Sequence, residues 1–348
     1  MSLTEKPATS PARDAYYKKL DERSMSALWN VLSDIITPTP RSGCQPFKWD
    51  FDEARDLLME AGSLITAKEA ERRVLILENP GLRGQSRITT SLYAGLQLVM
   101  PGEVAPAHRH SQSALRFVVD GDGAYTNVAG ERTLMHEGDF VITPPWAWHD
   151  HGNESDRPMI WLDGLDIPMA SFFDASFAEG YGAESQPESI PRGDSLARYG
   201  ANLMPFGHEQ QGLASPIFNY PYDRTRDALE QMRLRDEWDP CHGLKLRYVN
   251  PVNGEDAMPT ISTAMQLLPK GLITDVYRST DATVFSVVEG QGRTTVGDTV
   301  IDWKAKDHFV VPSWAPVVHQ AQDDAVLFSF SDRGVQQKLG FWRERRGS

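Results

Sequence analysis

The chain has 348 residues, enough for one large core or two of ordinary size, and two domains fit typical domain lengths better. Its 35 Lys and Arg stand against 48 Asp and Glu, a formal net charge of -13 at pH 7, which argues against nucleic acid, whose phosphates need a basic surface. No run approaches the ~18 apolar residues of a membrane span, and the opening Met-Ser-Leu-Thr-Glu-Lys-Pro lacks the basic-then-apolar order of a secretion signal, so a cytoplasmic protein without a membrane partner is expected.

The acidic balance also means that an anionic ligand needs a local cationic pocket against the global field. Cys44 and Cys241 have no partners at metal or redox spacing and read as reduced, structural thiols. Residues 1–12 read as disordered. From about Ala12 to Ile36 the apolar residues Tyr16, Leu20, Leu28, Val31, Leu32 and Ile35 recur at roughly helical intervals. Asp50 followed by Glu53 reads as a capping box opening a helix that Gly62 would close, and Thr66 with Glu69 repeats the device. Residues 1–85 are therefore expected to form a helical collar outside any sheet.

From Ile88 the pattern changes to short β-rich runs separated by Gly, Pro and Asp: Ser91–Met100, Ala114–Val119, Ala124–Val128, Phe140–Ile142 and Met159–Leu162. Such spacing argues for a sandwich or barrel, and residues 86–180 are read as a first β domain. Residues 181–242 are read as a linker with a helix between Thr225 and Trp238, residues 243–333 as a second β domain, and residues 334–348 as a tail. Arg343-Glu-Arg-Arg346 reads as a solvated terminus.

A repeat supports the division. The segment Val118 to Thr126 matches Val287 to Thr295, and Ile142-Thr-Pro-Pro-Trp-Ala147 matches Val310-Val-Pro-Ser-Trp-Ala315, the signature of a duplicated domain.

Five of the nine histidines lie between Pro101 and Asn153. Strand side chains alternate faces, so His108 and His110 point the same way, and His149 on a second strand could supply a third imidazole opposite them. Imidazole nitrogens suit borderline divalent metals such as iron, zinc, copper and nickel. A three-His shell leaves up to three coordination positions open, which favours a catalytic ion over a structural one. Through the repeat, His108 falls on Tyr277, His110 on Ser279 and His149 on Val317, while His319 aligns with His151. The second copy thus reads as a scaffold that kept the fold and lost the metal, with one ion per chain.

Gly102 to His110 fits the first motif of the cupin superfamily, a glycine, five residues, then His-x-His. Gly138, Pro144, His149 and Asn153 fit the second, with Trp146 in place of the usual glycine. The usual Glu ligand is missing; Ala114 and Leu115 stand there. The bicupin layout, the helical start and a three-His shell without carboxylate resemble the gentisate 1,2-dioxygenase family. The resemblance implies a mainly β bicupin, two double-stranded β-helix (jelly-roll) barrels with an N-terminal helical region, in a homotetramer. It implies Fe(II), one per chain, and cleavage of gentisate by dioxygen between the carbon bearing the carboxylate and its hydroxylated neighbour, giving maleylpyruvate. The open coordination positions would take the carboxylate and adjacent hydroxyl of a small aromatic 2-hydroxy acid as a chelate, with room for O2.

His108, His110 and His149 are the expected metal ligands. His151 would share the face of His149 and could touch substrate or act as acid or base; the alternative is a supporting or surface histidine. Arg116, an even six residues past His110, would face inward and grip the substrate carboxylate, unless an internal ion pair claims it. Asp163 could orient His151 or Arg116, or be a turn carboxylate at a strand end. Gln97 and Arg72 match positions that line the pocket in the family. Trp146 and Trp148 are expected to pack the barrel rim, and the Gly121/Gly123 and Gly290/Gly292 pairs to form hairpin turns. Competing activities are cleavage of salicylate or 1-hydroxy-2-naphthoate, which lack gentisate's para hydroxyl, a zinc or manganese cupin isomerase or hydrolase, or a non-enzymatic ligand-binding bicupin.

Overall fold

The computed structural model describes residues 10–209 and 212–347. Most of the segment expected to be disordered, residues 1–9, lies outside them. The chain divides into two compact units, Met1–Arg41 and Ser42–Ser348. In the first, the helical periodicity from Ala12 resolves into two helices, Pro11–Asp21 and Leu28–Ile35. Ser10 caps the first by accepting from the Arg13 N–H at 3.3 Å.

The second unit is a pair of β barrels, each made of one six-stranded and one five-stranded antiparallel sheet. In the first barrel, Phe140–Thr143, Ala114–Asp120, Met159–Leu165 and Tyr93–Val99 form the centre of the large sheet. Val104–His110, His149–Asn153 and Ala124–Val128 form the centre of the small one. The second barrel repeats this with Ala325–Ser331 between Ser262–Leu268 and Thr283–Glu289, and with Val317–Ala321 in its small sheet.

The two large sheets pack back to back. Leu96, Leu115, Phe117, Phe140 and Leu162 meet Met265, Leu267, Val326, Phe328 and Phe330 in one buried cluster. At its centre the rings of Phe117 and Phe328 stack 4.1 Å apart, 4° from parallel. The opposite faces of the same strands line the barrel interiors, with Val118, Val141, Met159 and Trp161 in the first. Both faces of these strands are therefore covered, which is why Ala114–Val119 reads as a nearly continuous apolar run rather than an alternating one.

Several expectations are corrected. The segment 1–85 is not confined to helices: Phe47–Trp49 pairs with His308–Val310 of the second barrel, and Val74–Ile76 pairs with Gly95–Gln97 of the first. Three-residue strands are too short to show a period of two, so only the sheet edge awaiting them reveals them. Gly62 does not end the helix Phe51–Leu64; it lies inside it, where a Cβ would come within 3.2 Å of Leu98, so the glycine lets helix and sheet approach closely. The Asp50 side chain caps this helix by accepting from the Asp52 and Glu53 N–H groups, and the full capping box forms only at Thr66 and Glu69. Glu344–Arg346 is solvent-exposed as expected but not unstructured: it is a strand paired with Tyr277–Ser279. The helix expected from Thr225 begins earlier, at Tyr222, and ends at Arg233.

The duplication carries through to individual bonds. Asp166 accepts from the Ser113 N–H at 3.0 Å, and Asp332 accepts from the Ala282 N–H at 2.9 Å at the matching place. The repeat register needs one correction: Thr126 lies opposite His151 and Thr294 opposite His319, so Thr126 corresponds to Thr294, not Thr295. The turn in the second copy is one residue shorter.

Because Phe328 fills the centre of the inter-barrel core, Phe328→Ala is expected to destabilise the protein by about 3–5 kcal/mol, the usual cost of deleting a buried phenyl ring. Denaturant unfolding measures this, and a loss below about 1 kcal/mol would mean that the barrels do not depend on that contact.

Candidate metal centre

His108 ends a strand that pairs antiparallel with His149–Asn153, and in that register His108 stands directly opposite His149. A bulge between Ala105 and His108 shifts the pairing locally and turns the last residues of the strand toward the barrel interior. His110 follows on the same face. The ring centroids lie 4.0 Å apart for His108 and His149, 4.8 Å for His110 and His149, and 5.4 Å for His108 and His110. One ligating nitrogen from each of the three falls within 4.8 Å of the other two.

Backbone carbonyls decide which nitrogen each ring presents. Nδ1 of His108 lies 3.1 Å from the Pro106 carbonyl, Nδ1 of His110 lies 3.0 Å from that of Gln112, and Nδ1 of His149 lies 2.9 Å from that of Ala147. At His110 and His149 the carbonyl contact places the proton on Nδ1, leaving the Nε2 lone pair for an ion, while at His108 the Arg72 guanidinium lies against both ring nitrogens. Nε2 of His149 is buried without any hydrogen-bond partner, a costly state that a metal relieves. Burial, then the charge of Arg72, pushes His108 down to about 3; burial, then Arg116, pushes His110 down to about 4; burial holds His149 well below its ordinary value. Neutral imidazoles are the form that binds metal. The donor set fits a borderline divalent ion with an incomplete protein shell.

The loop carrying His149 is anchored to the other ligands. Trp146 adopts φ +65, the left-handed region that its motif ordinarily reserves for glycine, at a cost of about 1–2 kcal/mol. Its N–H donates to the carbonyl of His110 at 2.8 Å, tying the two halves of the site together. The rings of Trp146 and Trp148 both lie 4.4 Å from the Arg109 guanidinium, so they pack at the rim as expected.

Arg116 is buried beside the triad. It donates through Nη1 to Thr143 Oγ1 and through Nη2 to His151 Nε2, each at 2.7 Å. Its Nε lies 3.6 Å from an Asp163 oxygen and has no hydrogen-bond partner, so the guanidinium is held at one side and retains donors at another. His151 has both nitrogens engaged: Nε2 accepts from Arg116, and Nδ1 lies 3.0 Å from Thr126 Oγ1. Asp163 accepts from the Trp161 indole at 3.0 Å, and burial raises it to about 6 despite the neighbouring Arg116.

Arg72 reaches in just ahead of the strand Val74–Ile76, with Nη2 2.5 and 2.8 Å from the two ring nitrogens of His108. Arg72 and Arg116 supply the local cationic pocket that the acidic chain requires. Gln97 is buried on the interior face, opposite Trp161 in the strand pairing. Three contributors were not anticipated. Thr143 and Thr126 are ordinary strand threonines by sequence, marked only by their cross-strand partners. Tyr93 shares the face of Gln97, and its hydroxyl is pushed up by burial, then by the charge of Asp163, with Arg72 opposing. Its even spacing from Gln97 was the available signal.

In the second barrel, Tyr277 pairs with Val317 as His108 pairs with His149, so the non-ligating residues expected there occupy the equivalent positions. Phe285 stands at the place of Arg116, its ring 5.2 Å from that of His319. His319 lies 2.8 Å from Thr294 Oγ1, repeating the His151–Thr126 contact.

Residues 95–165 match the model of the Cupin domain. The whole chain is similar to gentisate 1,2 dioxygenase 1 of Aquipseudomonas alcaligenes, 68% identical over 99% of this chain and 100% of that protein. The chain belongs to the gentisate 1,2-dioxygenase family of bicupins. Within the reach of this gentisate dioxygenase family lies 5-aminosalicylate 1,2-dioxygenase of Comamonas sp, 36% identical over 95% of this chain and 90% of that one. A crystal structure of salicylate 1,2-dioxygenase from Pseudoaminobacter salicylatoxidans in adducts with gentisate superposes with a TM-score of 0.93 at 36% identity, covering 99% of this chain and 97% of that one.

His110→Ala is expected to leave the fold intact and to lower metal content from one ion per chain to below about a tenth, since removing one of three ligands leaves too weak a shell. Circular dichroism with metal analysis reads both, and full metal content in a folded variant would remove His110 from the ligand set.

Proposed function

We propose that this protein is an iron(II)-dependent gentisate 1,2-dioxygenase that uses both atoms of O2 to open the ring between the carboxylate-bearing carbon and its hydroxylated neighbour, giving maleylpyruvate. The observation that carries the reading is three imidazoles with ring nitrogens within 4.8 Å of one another beside a buried arginine that has a donor to spare. Family membership makes the chain a ring-cleaving dioxygenase, and its 68% identity to a gentisate dioxygenase supports gentisate as the substrate.

His108, His110 and His149 would hold the iron, which when bound supplies a path for electron density from ring to dioxygen and a common point at which both meet. Arg116 binds the substrate carboxylate, its fork matching the two oxygens. His151, locked between Thr126 and Arg116, fixes the angle of that fork, and Asp163 balances its charge. His151 and Asp163 thereby act through Arg116 and the substrate it holds. Arg72, Gln97 and Tyr93 close the pocket on the side of Val74–Ile76, and the Trp161 ring excludes water from the barrel interior behind it.

We place the enzyme in the cytoplasm, supported by two buried free cysteines, of which burial pushes Cys44 up to about 12. Among the described residues no helix is long and apolar enough to cross a membrane. We propose a homotetramer, as the resemblance implies; the exposed Phe172 and Phe173 support burial against a partner subunit without fixing the number.

Anaerobic loading with iron(II), then oxygen uptake with gentisate, salicylate and 1-hydroxy-2-naphthoate in parallel, tests the reading. Rapid turnover of gentisate with growth of product absorbance is expected. Comparable turnover of salicylate would broaden the substrate class, and oxygen uptake with none of the three would leave a ligand-binding bicupin. Arg116→Ala is expected to raise KM for gentisate about 10- to 100-fold, the worth of a charge-assisted contact. An unchanged KM would return Arg116 to an internal structural role.

A further inference from the structure

The second barrel has its own cavity, of about 410 Å³, open at the mouth that corresponds to the metal site. That volume is in the range of small-ligand pockets. The residues facing it differ from those of the first barrel in a consistent direction. Where the first copy places the ligands His108 and His110, this cavity is lined by Tyr277, whose hydroxyl donates to Glu344 at 3.0 Å, and by Ser279. Strand pairing puts Ser329 at the place of Asp163, replacing a carboxylate with a further hydroxyl.

Two cations converge on the same space. Lys245 lies on Leu244–Arg247, the strand equivalent to Val74–Ile76, and faces inward opposite Gln266. Its ammonium makes no ion pair or hydrogen bond among the described residues; its nearest recorded contact is the face of Phe285, 6.0 Å away. Arg333 lines the cavity from the end of Ala325–Ser331, its guanidinium flat on Trp342 at 4.1 Å and likewise without a carboxylate partner among the described residues. Three acids line the rim: Glu237, paired with Arg235, then Asp281 and Asp239, of which Asp281 has neutral donors only. Asp281 accepts from the Trp342 indole at 2.9 Å, and Asp239 is paired with Arg346. Burial pushes Lys245 down to about 8, with Asp281 and Asp239 opposing and Arg333 reinforcing. The rings of His242 and Tyr277, 4.5 Å apart, form an aromatic wall.

We propose that the mouth of the second barrel is a binding site for an aromatic carboxylate, with Lys245 and Arg333 holding the anion, Ser279 and Ser329 donating to it, and Tyr277 flanking its ring. The second copy exchanged metal ligands for anion donors on one scaffold, and bonding replaces coordination. This inference does not depend on which hydroxy acid the first barrel cleaves.

The test is anaerobic titration calorimetry of the iron-loaded full chain with benzoate, which carries the anion and ring but no hydroxyl for ring cleavage. Two benzoates per chain are expected in the native protein. Lys245→Met and Arg333→Gln should each weaken one of the two by about tenfold or more, as loss of a charged donor does. Iron content and gentisate turnover should stay at native levels, showing that each variant is folded. A single benzoate per chain in the native protein, or two undiminished sites in both variants, would overturn the proposal. Inorganic phosphate runs in parallel: phosphate binding at the Lys245-dependent site with no benzoate there would overturn the carboxylate assignment.

Discussion

Everything at the metal centre depends on one cross-strand register, His108 opposite His149. Directly opposed residues of an antiparallel pair start close enough for two short imidazoles to reach one ion. A slip of one residue would turn both to the other face of the sheet. The register is defended from outside the site: the Trp146 N–H grips the His110 carbonyl in a strained conformation, and the interior face cannot shift without also shifting the packed face that holds Phe117 against Phe328. The inter-barrel core thus serves the chemistry, because it leaves the large sheet no second way to sit.

Around the triad the protein solves an electrostatic problem. A chain with net charge -13 must attract an anion and hold a divalent cation in one pocket. It does so by keeping the ligands neutral through burial and by bringing in Arg72 and Arg116, with Asp163 too far from Arg116 at 3.6 Å to saturate it. A closer Asp163 would satisfy the guanidinium and leave less of it for a ligand. At 3.6 Å the two groups pair in charge without a hydrogen bond, which leaves the Arg116 Nε donor open.

The duplicated barrel shows the same scaffold under other demands. Cross-strand positions, the aspartates at the sheet ends and the histidine–threonine contact are kept, while the interior exchanges imidazoles for hydroxyls and moves its cation from the position of Arg72 to that of Lys245. The frame is maintained by backbone hydrogen bonds and core packing that the interior side chains do not supply, so the interior is free to diverge.

The sequence by itself determined the period-two spacing of His108, His110, His149 and His151, the inward parity of Arg116 and Asp163, and the duplication, because alternation along a strand and likeness between two copies are local properties of a string. It also identified the missing carboxylate ligand as a family mark. The tertiary structure alone decided that Phe47–Trp49 and Val74–Ile76 join the sheets, that backbone carbonyls orient the imidazoles, that His151 holds Arg116, and that Tyr93, Thr126 and Thr143 belong to the site. Those facts are contacts between residues distant in the chain, fixed by which faces must be buried against each other, and no spacing within a segment encodes them.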